Sequence, residues 1–297
     1  MQILLDTLIR TSDLALIALG LSLSYGVSRF PNVAHVEMAP FGAAIALAMT
    51  AVPGVGLIPA AAAGAVSAGV FAVLLHRFAF ERLAAVGPAS ALIGSLAIAM
   101  MVRAGLQAVF GTRPQQFDTP LTPPLDVWGA IISDQQIVGI VTTVVCLVAF
   151  FAMLRLTPLG RSIRAIAANP GLASAAGINA RRVTAVTVFL GGMLAGTGGI
   201  LLALVTQLDI GMGQMLLLPV FAAAIVGGLG SLPGAVMGAF AIALAETVVM
   251  RIDFGMLIGD GPRYLPLGYL TGIGFALIVI TLVHRPEGLL SRGGRRA

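Results

Sequence analysis

The stretch VTAVTVFLGGMLAGTGGILLALV, Val183 to Val205, decides the fold. It is apolar, uncharged and long enough to cross a bilayer core of about 30 Å as one helix. Its small residues recur at four-residue spacing: Gly191, Ala195 and Gly199 make one stripe, and Gly192 and Gly196 a second. Such stripes let helix backbones approach closely in lipid, where packing and not hydrophobicity holds helices together. The signal is structural, not catalytic.

Similar apolar runs recur on both sides, near 12–29, 38–54, 57–76, 89–110, 137–156, 214–227, 234–250 and 264–283. The whole chain is 58% hydrophobic and only 10% charged, against about 25% charged in soluble domains. The expectation is an all-α polytopic membrane protein of eight or nine transmembrane helices, some short or broken, forming one transmembrane domain over residues 1–297. The run 214–227 precedes GGLGSLPGA, Gly227 to Ala235, and reads as a half-helix, because Gly and Pro both interrupt helical backbone. The opening MQILLDTLIRTSD lacks a basic n-region and a small-residue cleavage site, so it is expected to lead into the first span and remain in the mature chain. Cys146, the single cysteine, lies inside an apolar run and is expected to be inert packing.

The sharpest contrast is LGRSIRAIAANPGLASAAGINARR, Leu159 to Arg182, between two apolar runs. It holds Arg161, Arg164, Arg181 and Arg182 and no acid. Gly160 to Ala168 fits a short helix stopped by Asn169 and Pro170, with a second turn capped by Gly177. Short cytoplasmic loops carry the arginine excess of membrane proteins. If this loop is cytoplasmic and the spans alternate, Arg29, Arg77, Arg82, the five arginines from Arg155 to Arg182, and Arg285, Arg292, Arg295 and Arg296 all lie inside. Outside fall Arg10, Arg113, Arg251 and Arg263, with Asp6, Asp13, Asp118, Asp126, Asp134, Asp209, Asp253 and Asp260. The N-terminus is therefore expected outside and the C-terminus in the cytoplasm, with nine crossings if the short run is counted. Simple topology anchoring accounts for some of the loop's arginines.

The longest outer loop, 111–136, has four prolines, three acids and Trp128. It reads as a rigid interfacial shelf or as a plain connector.

Several chemistries are excluded. A P-loop needs a lysine to reach the phosphates, and this chain has none. No H-E-x-x-H occurs, and His35, His76 and His284 are too scattered to suggest a metal site. LIGD, Leu257 to Asp260, misses the G-x-G-D of intramembrane aspartyl proteases at its first position. Nor is there a nucleophile, base and orienting group in one constellation. The net charge of +5 comes wholly from arginine and is first a topology signal, not a nucleic-acid one.

Ionisable residues in the membrane are costly and often functional. Arg103 lies about 10 Å along its helix from the outer end, and Glu246 lies near the outer end of its own span. The two either pair or snorkel separately to the headgroups. In SRFPNVAHVEMAPFG, Ser28 to Gly42, Pro31 and Pro40 bracket Asn32, His35 and Glu37. Polar groups at a helix break are how transporters build solute sites, though a short inner turn would read the same.

Three motifs in order carry a resemblance over nearly the whole chain. LALIALGLSLSYGVSRFPNVAHVEMAPFGAAIA resembles the start of permease subunits of branched-chain amino acid ABC importers. TPLGRSIRAIAANPGLASAAGINARRVTAVTVFLGGMLAGTGGILLA is similar to their coupling region and next span, and FAAAIVGGLGSLPGAVMGAFAIALAE to their Gly-rich segment. The short N-terminus resembles the H-like of the two subunits, and ribose-type sugar permeases are more distant relatives.

The resemblance implies an ABC importer permease fold in a bacterial inner membrane, with no enzymatic activity and no cofactor in this chain. ATP and Mg would be bound by two partner ATPases. The other implied partners are a second permease subunit, a periplasmic solute-binding protein and membrane lipid, with no nucleic acid. The loop 157–182 would couple to the ATPases through Gly160, Arg161, Arg164, Ala168, Asn169, Pro170, Ala173 and Gly177. Asn32, His35, Glu37, Arg103 and Glu246 are the candidate pathway residues. Where the family commonly has Phe and Gly in this motif, the chain has Val33 and Val36, and Val36 removes a flexible point. The solute would be a branched-chain or other small amino acid, with amide or urea-like solutes as an alternative. The rival from the residues themselves is an ion-coupled secondary transporter using Arg103, Glu246 and His35, which leaves 159–182 without a role.

Overall fold

The structure is a computed structural model that describes residues 1–119, 123–127, 129–253, 269–285 and 288–290. Trp128, Arg263, Asp260, the LIGD tetrapeptide, Arg292, Arg295 and Arg296 lie outside these.

Helix follows helix along the chain: α1 Gln2–Ser28, α2 Met38–Thr50, α3 Leu57–Leu75, α4 Glu81–Val86, α5 Pro88–Phe110, α6 Asp134–Leu156, α7 Pro158–Ala168, α8 Pro170–Ala175, α9 Ala180–Val205, α10 Met212–Gly227, α11 Leu232–Met250 and α12 Leu270–His284. A 3₁₀ turn, Val33–Glu37, leads into α2, and a π turn, His76–Phe80, joins α3 to α4. Six described helical spans are long and apolar enough to cross a membrane: 33–50, 57–86, 88–110, 134–156, 180–205 and 232–250. Met212–Gly227 and Gly272–His284 are shorter apolar helices. At 1.5 Å per residue, α10 is about 24 Å long, a little shorter than a bilayer core of about 30 Å.

The first span begins ten residues earlier than its apolar run. Asp6 and Arg10, near its start, find partners on neighbouring elements: Arg251 lies 2.7 Å from Asp6, and Arg10 2.7 Å from Glu246. From Leu14 to Leu19 α1 is completely enclosed. It is the central post of the bundle, with α9, α10 and α11 packed around it.

The glycine stripes of α9 face the helices they were expected to admit. A methyl group at Gly191 would meet Ser24 Oγ of α1 at 2.7 Å, and one at Gly196 would meet Ala68 Cβ of α3 at 2.6 Å. Gly199 lies against the backbone of Ala39 in α2. Three helices thus pack on one helix at backbone distance.

Hydrogen bonds sort the loops into two ends. At one, Arg29 donates to Ala167 O, Arg181 pairs with Glu81, and Gly230 N donates to Ser22 Oγ. At the other, Arg251 pairs with Asp6, Ile131 N donates to Gln2 Oε1, and Gln115 bridges Leu208. The outer-loop reading gains a hairpin there, β1 Leu125–Val127 against β2 Ala130–Ile132, antiparallel. Ser133 and Gln136 then close a reciprocal capping box on α6.

The Gly/Pro stretch 227–235 is the turn between α10 and α11. Pro233 falls in the first turn of α11, where no N–H is missed, and Ser231 Oγ accepts from Gly234 N.

Candidate functional site

The segment after α1 is not a surface turn. Arg29, in the left-handed conformation (φ 59), caps α1 and turns the chain back into the bundle. Asn32 Oδ1 accepts from Ala34 N, and Val33 N donates to Ser95 Oγ on α5. These bonds place His35 at 3% exposure and Glu37 at 1%. Pro40 lies in the first turn of α2 and breaks nothing. The break is the 3₁₀ turn itself. Nor does Val36 cost backbone strain: Arg29 is the one non-glycine with positive φ among the described residues.

Glu37 accepts from Arg103 Nη2 at 2.5 Å, and Arg103 Nη1 donates to Gln214 Oε1 at 2.5 Å. The Glu37 carboxylate also abuts Gly213, where an added Cβ would stand 2.5 Å from Oε2. Gly213 is in the first turn of α10, whose positive dipole end favours an anion. The expected alternatives for Arg103 and Glu246, a mutual pair or separate snorkelling, both give way. Helix α5 packs against the 3₁₀ turn, while α11 packs on α1, so each charge meets a different partner: Glu37 for Arg103 and Arg10 for Glu246. Asn32, His35, Glu37 and Arg103 thus cluster, and Glu246 stands apart. No sequence spacing links Glu37 to Gln214 or Val33 to Ser95, which is why those contacts were not legible.

His35 Nε2 and Ser24 Oγ are buried without hydrogen-bond partners, and both residues line a cavity of about 10 Å³ with Asn32 and His76. That is room for about one water molecule.

The loop 157–182 is well ordered by its own side chains. Thr157 Oγ1 accepts from Gly160 N, Asn169 Oδ1 from Leu172 N, and Asn179 Oδ1 from Arg182 N, so α7, α8 and α9 each start on a side-chain cap. Ile178 N donates to Ala173 O and Gly177 N to Ser174 O, which closes α8 in a Schellman motif. Gly177 has φ 83. Replacing Gly177 by alanine is expected to cost about 1 kcal/mol, the penalty of an L-residue in that conformation, read as a lowered thermal midpoint.

The expected coupling residues divide in two. Gly160 lies against the Leu154 backbone, Arg164 donates to Leu154 O, and Ala173 is 5% exposed. Gly160 and Ala173 thus face the chain's own loop and bundle. Arg161, Ala168, Asn169 and Pro170 are exposed, with Leu172 beside them at 70%. Leu172 was missed because an apolar side chain on a loop reads as buried packing. Arg29, which ties the end of α1 to α7 at 2.8 Å, was read only as a topology charge.

Compared with known proteins, residues 3–259 match the family model of the branched-chain amino acid transport system permease component. The chain belongs to that family. It is 28% identical to the high-affinity branched-chain amino acid transport system permease protein BraD of Pseudomonas aeruginosa, over 98% of this chain and 96% of the relative. It is equally similar, at 28%, to LivH of Escherichia coli, over 95% of this chain and 92% of the relative. A solved structure, PsaBC from Streptococcus pneumoniae in complex with Fab, aligns over 97% of this chain and 93% of that one, with TM-score 0.49 and 11% identity.

The membership makes the chain a multi-pass ABC permease subunit of the branched-chain amino acid type. Its two candidate regions lie on one continuous frame. Helix α1 touches the Glu37 segment through the Arg29 turn and touches the loop through the Arg29 to Ala167 bond.

Proposed function

We propose that this subunit lies in the bacterial inner membrane and moves branched-chain or other small amino acids inward, driven by ATP that two partner ATPases bind with Mg and hydrolyse. A second permease subunit would complete the pathway, and a periplasmic binding protein would deliver solute to the end bearing the hairpin. The observation that carries this reading is the α7–α8 knob, ordered by three caps, exposed at Ala168 to Leu172 and fastened to α1 by Arg29.

The orientation follows from charge. Arg29, Arg77, Arg82, Arg155, Arg161, Arg164, Arg181, Arg182 and Arg285 belong to the knob end of their helices or loops, and the hairpin end carries Arg10, Arg113, Arg251 and most of the aspartates. The knob end is therefore cytoplasmic. Asn32, His35, Glu37 and Arg103 are the pathway candidates nearest the α10 N-terminus, and Glu246 braces α1 to α11.

The test is co-purification of the tagged chain with the products of its neighbouring genes, followed by solute-stimulated ATP hydrolysis. Ala168→Trp and Leu172→Asp are expected to abolish ATPase capture or to uncouple hydrolysis from transport, while thermal midpoints stay near wild type because both sites are exposed. A chain that purifies alone and moves amino acids into liposomes under an ion gradient would overturn the importer reading.

A further inference from the structure

We infer that the knob end carries a specific site for the headgroup of an anionic phospholipid, in the cavity between the π turn and the start of α9. This cavity, of about 320 Å³, is lined by Val73, His76, Arg77, Glu81, Arg181 and Arg182, with Asn179 and Ala185 completing it. It is separate from the small cavity beside His35, although His76 borders both.

Charge selects an anion. Three guanidiniums face one carboxylate, and Arg181 Nη2 already engages Glu81 Oε2 at 3.1 Å. Arg77 and Arg182 have no ion-pair partner among the described residues. Guanidinium forks match phosphate oxygens in geometry, so two free arginines on facing walls suit one phosphodiester.

Depth selects a lipid over a free phosphate. Val73 on α3 lies about one turn before Arg77 of the π turn, and Ala185 lies one turn after Arg181 on α9, so the cavity floor is apolar about 6 Å below its cationic rim. Leu74 and Phe78, the chain neighbours of Val73 and Arg77, are exposed large apolar side chains. A ligand with a charged head and a hydrocarbon tail fits both levels at once. Basic pockets between transmembrane helices on the cytoplasmic side bind anionic headgroups for this reason.

The π turn makes the arrangement. Its wide turn sits at the foot of α3 and brings both Arg77 and Glu81 to the cavity wall. Glu81 holds Arg181 in place through the ion pair, leaving the other two arginines for the ligand.

The experiment is phosphatidylglycerol binding to the full-length chain in phosphatidylcholine nanodiscs, followed by native mass spectrometry. Wild type is expected to retain phosphatidylglycerol, and R77Q/R182Q to bind it about 10- to 30-fold more weakly, the loss for two arginines near the headgroup layer. R77K/R182K should bind between the two, because it keeps the charge and loses the fork, which separates lost charge from misfolding. R155Q/R285Q, which removes equal charge at the same end outside the cavity, should change binding by less than about twofold. Equal losses in the two glutamine pairs would reduce the effect to diffuse surface charge and overturn the site. Displacement of the lipid by millimolar inorganic phosphate would overturn the lipid assignment and leave a phosphate site. Neither outcome touches the coupling assay, so this proposal and the importer reading fail separately.

Discussion

Replacing Glu37 by alanine is expected to destabilise the protein by about 3–5 kcal/mol, the cost of leaving a buried charge without its partner. Arg103 would lose its carboxylate while its side chain remains four-fifths buried and its Nε has no hydrogen-bond partner. Gln214 Oε1 would be the one side-chain acceptor left to it. The converse change, Arg103→Ala, strands a carboxylate that is 1% exposed, with only the α10 N-terminus to offset it. The double variant E37L/R103M should recover most of the loss, because an apolar pair of similar volume needs no desolvation. Thermal and denaturant unfolding of all four proteins closes the cycle. Single variants within about 1 kcal/mol of wild type would show that the pair is exposed to water in the working protein. If Glu37 and Arg103 also serve the pathway, E37L/R103M would fold yet lose transport, and stability and transport would part in that variant alone.

The two buried pairs show what a sequence holds and what it withholds. Every apolar run holds a helix among the described residues, because a segment in lipid must satisfy its backbone hydrogen bonds within itself. The caps at Asn169 and Gly177 were legible for a similar reason: they act on residues within one or two turns. Partner choice was not legible. Arg103 meets Glu37 across 66 positions and Arg10 meets Glu246 across 236. Which acid an arginine finds depends on which helices become neighbours, and glycine stripes say that a helix has close neighbours without saying which. The sequence placed Arg103 and Glu246 at similar depth, but depth is one coordinate of three. Burial on the loop was not legible for a related reason: Ala168 at the end of α7 and Ala173 within α8 have the same side chain, and only how each short helix lies against the bundle separates the exposed one from the buried one.

Glycine stripes also yield the second large effect, and it is a contrast between two substitutions of identical chemistry. Gly199→Ala adds one methyl group to α9, and its Cβ would stand 2.5 Å from the Cα of Ala39 with the Ala39 carbonyl nearer still. Those are backbone atoms of a neighbouring helix, so no rotamer change can relieve the overlap. Separating α9 from α2 would loosen α1 and α3 as well, since both pack on α9. The expected cost is about 3 kcal/mol or more, at the upper end for overpacking a close-packed interior. Gly105→Ala adds the same methyl group to α5, where nothing lies within 4 Å. Only the helix propensity changes there, in favour of alanine by about 1 kcal/mol. Lipid and detergent are the same for both variants, and so is the change in composition. Thermal midpoints should therefore move in opposite directions, down steeply for Gly199→Ala and up slightly for Gly105→Ala. Equal small shifts would mean that α2 and α9 do not meet at backbone distance, and the packing assigned to the whole α1, α2, α3 and α9 assembly would have to be withdrawn. Opposite shifts would tie the spacing of Gly191, Ala195 and Gly199 to helix contact, because α5 has no neighbour at Gly105 for a methyl group to disturb.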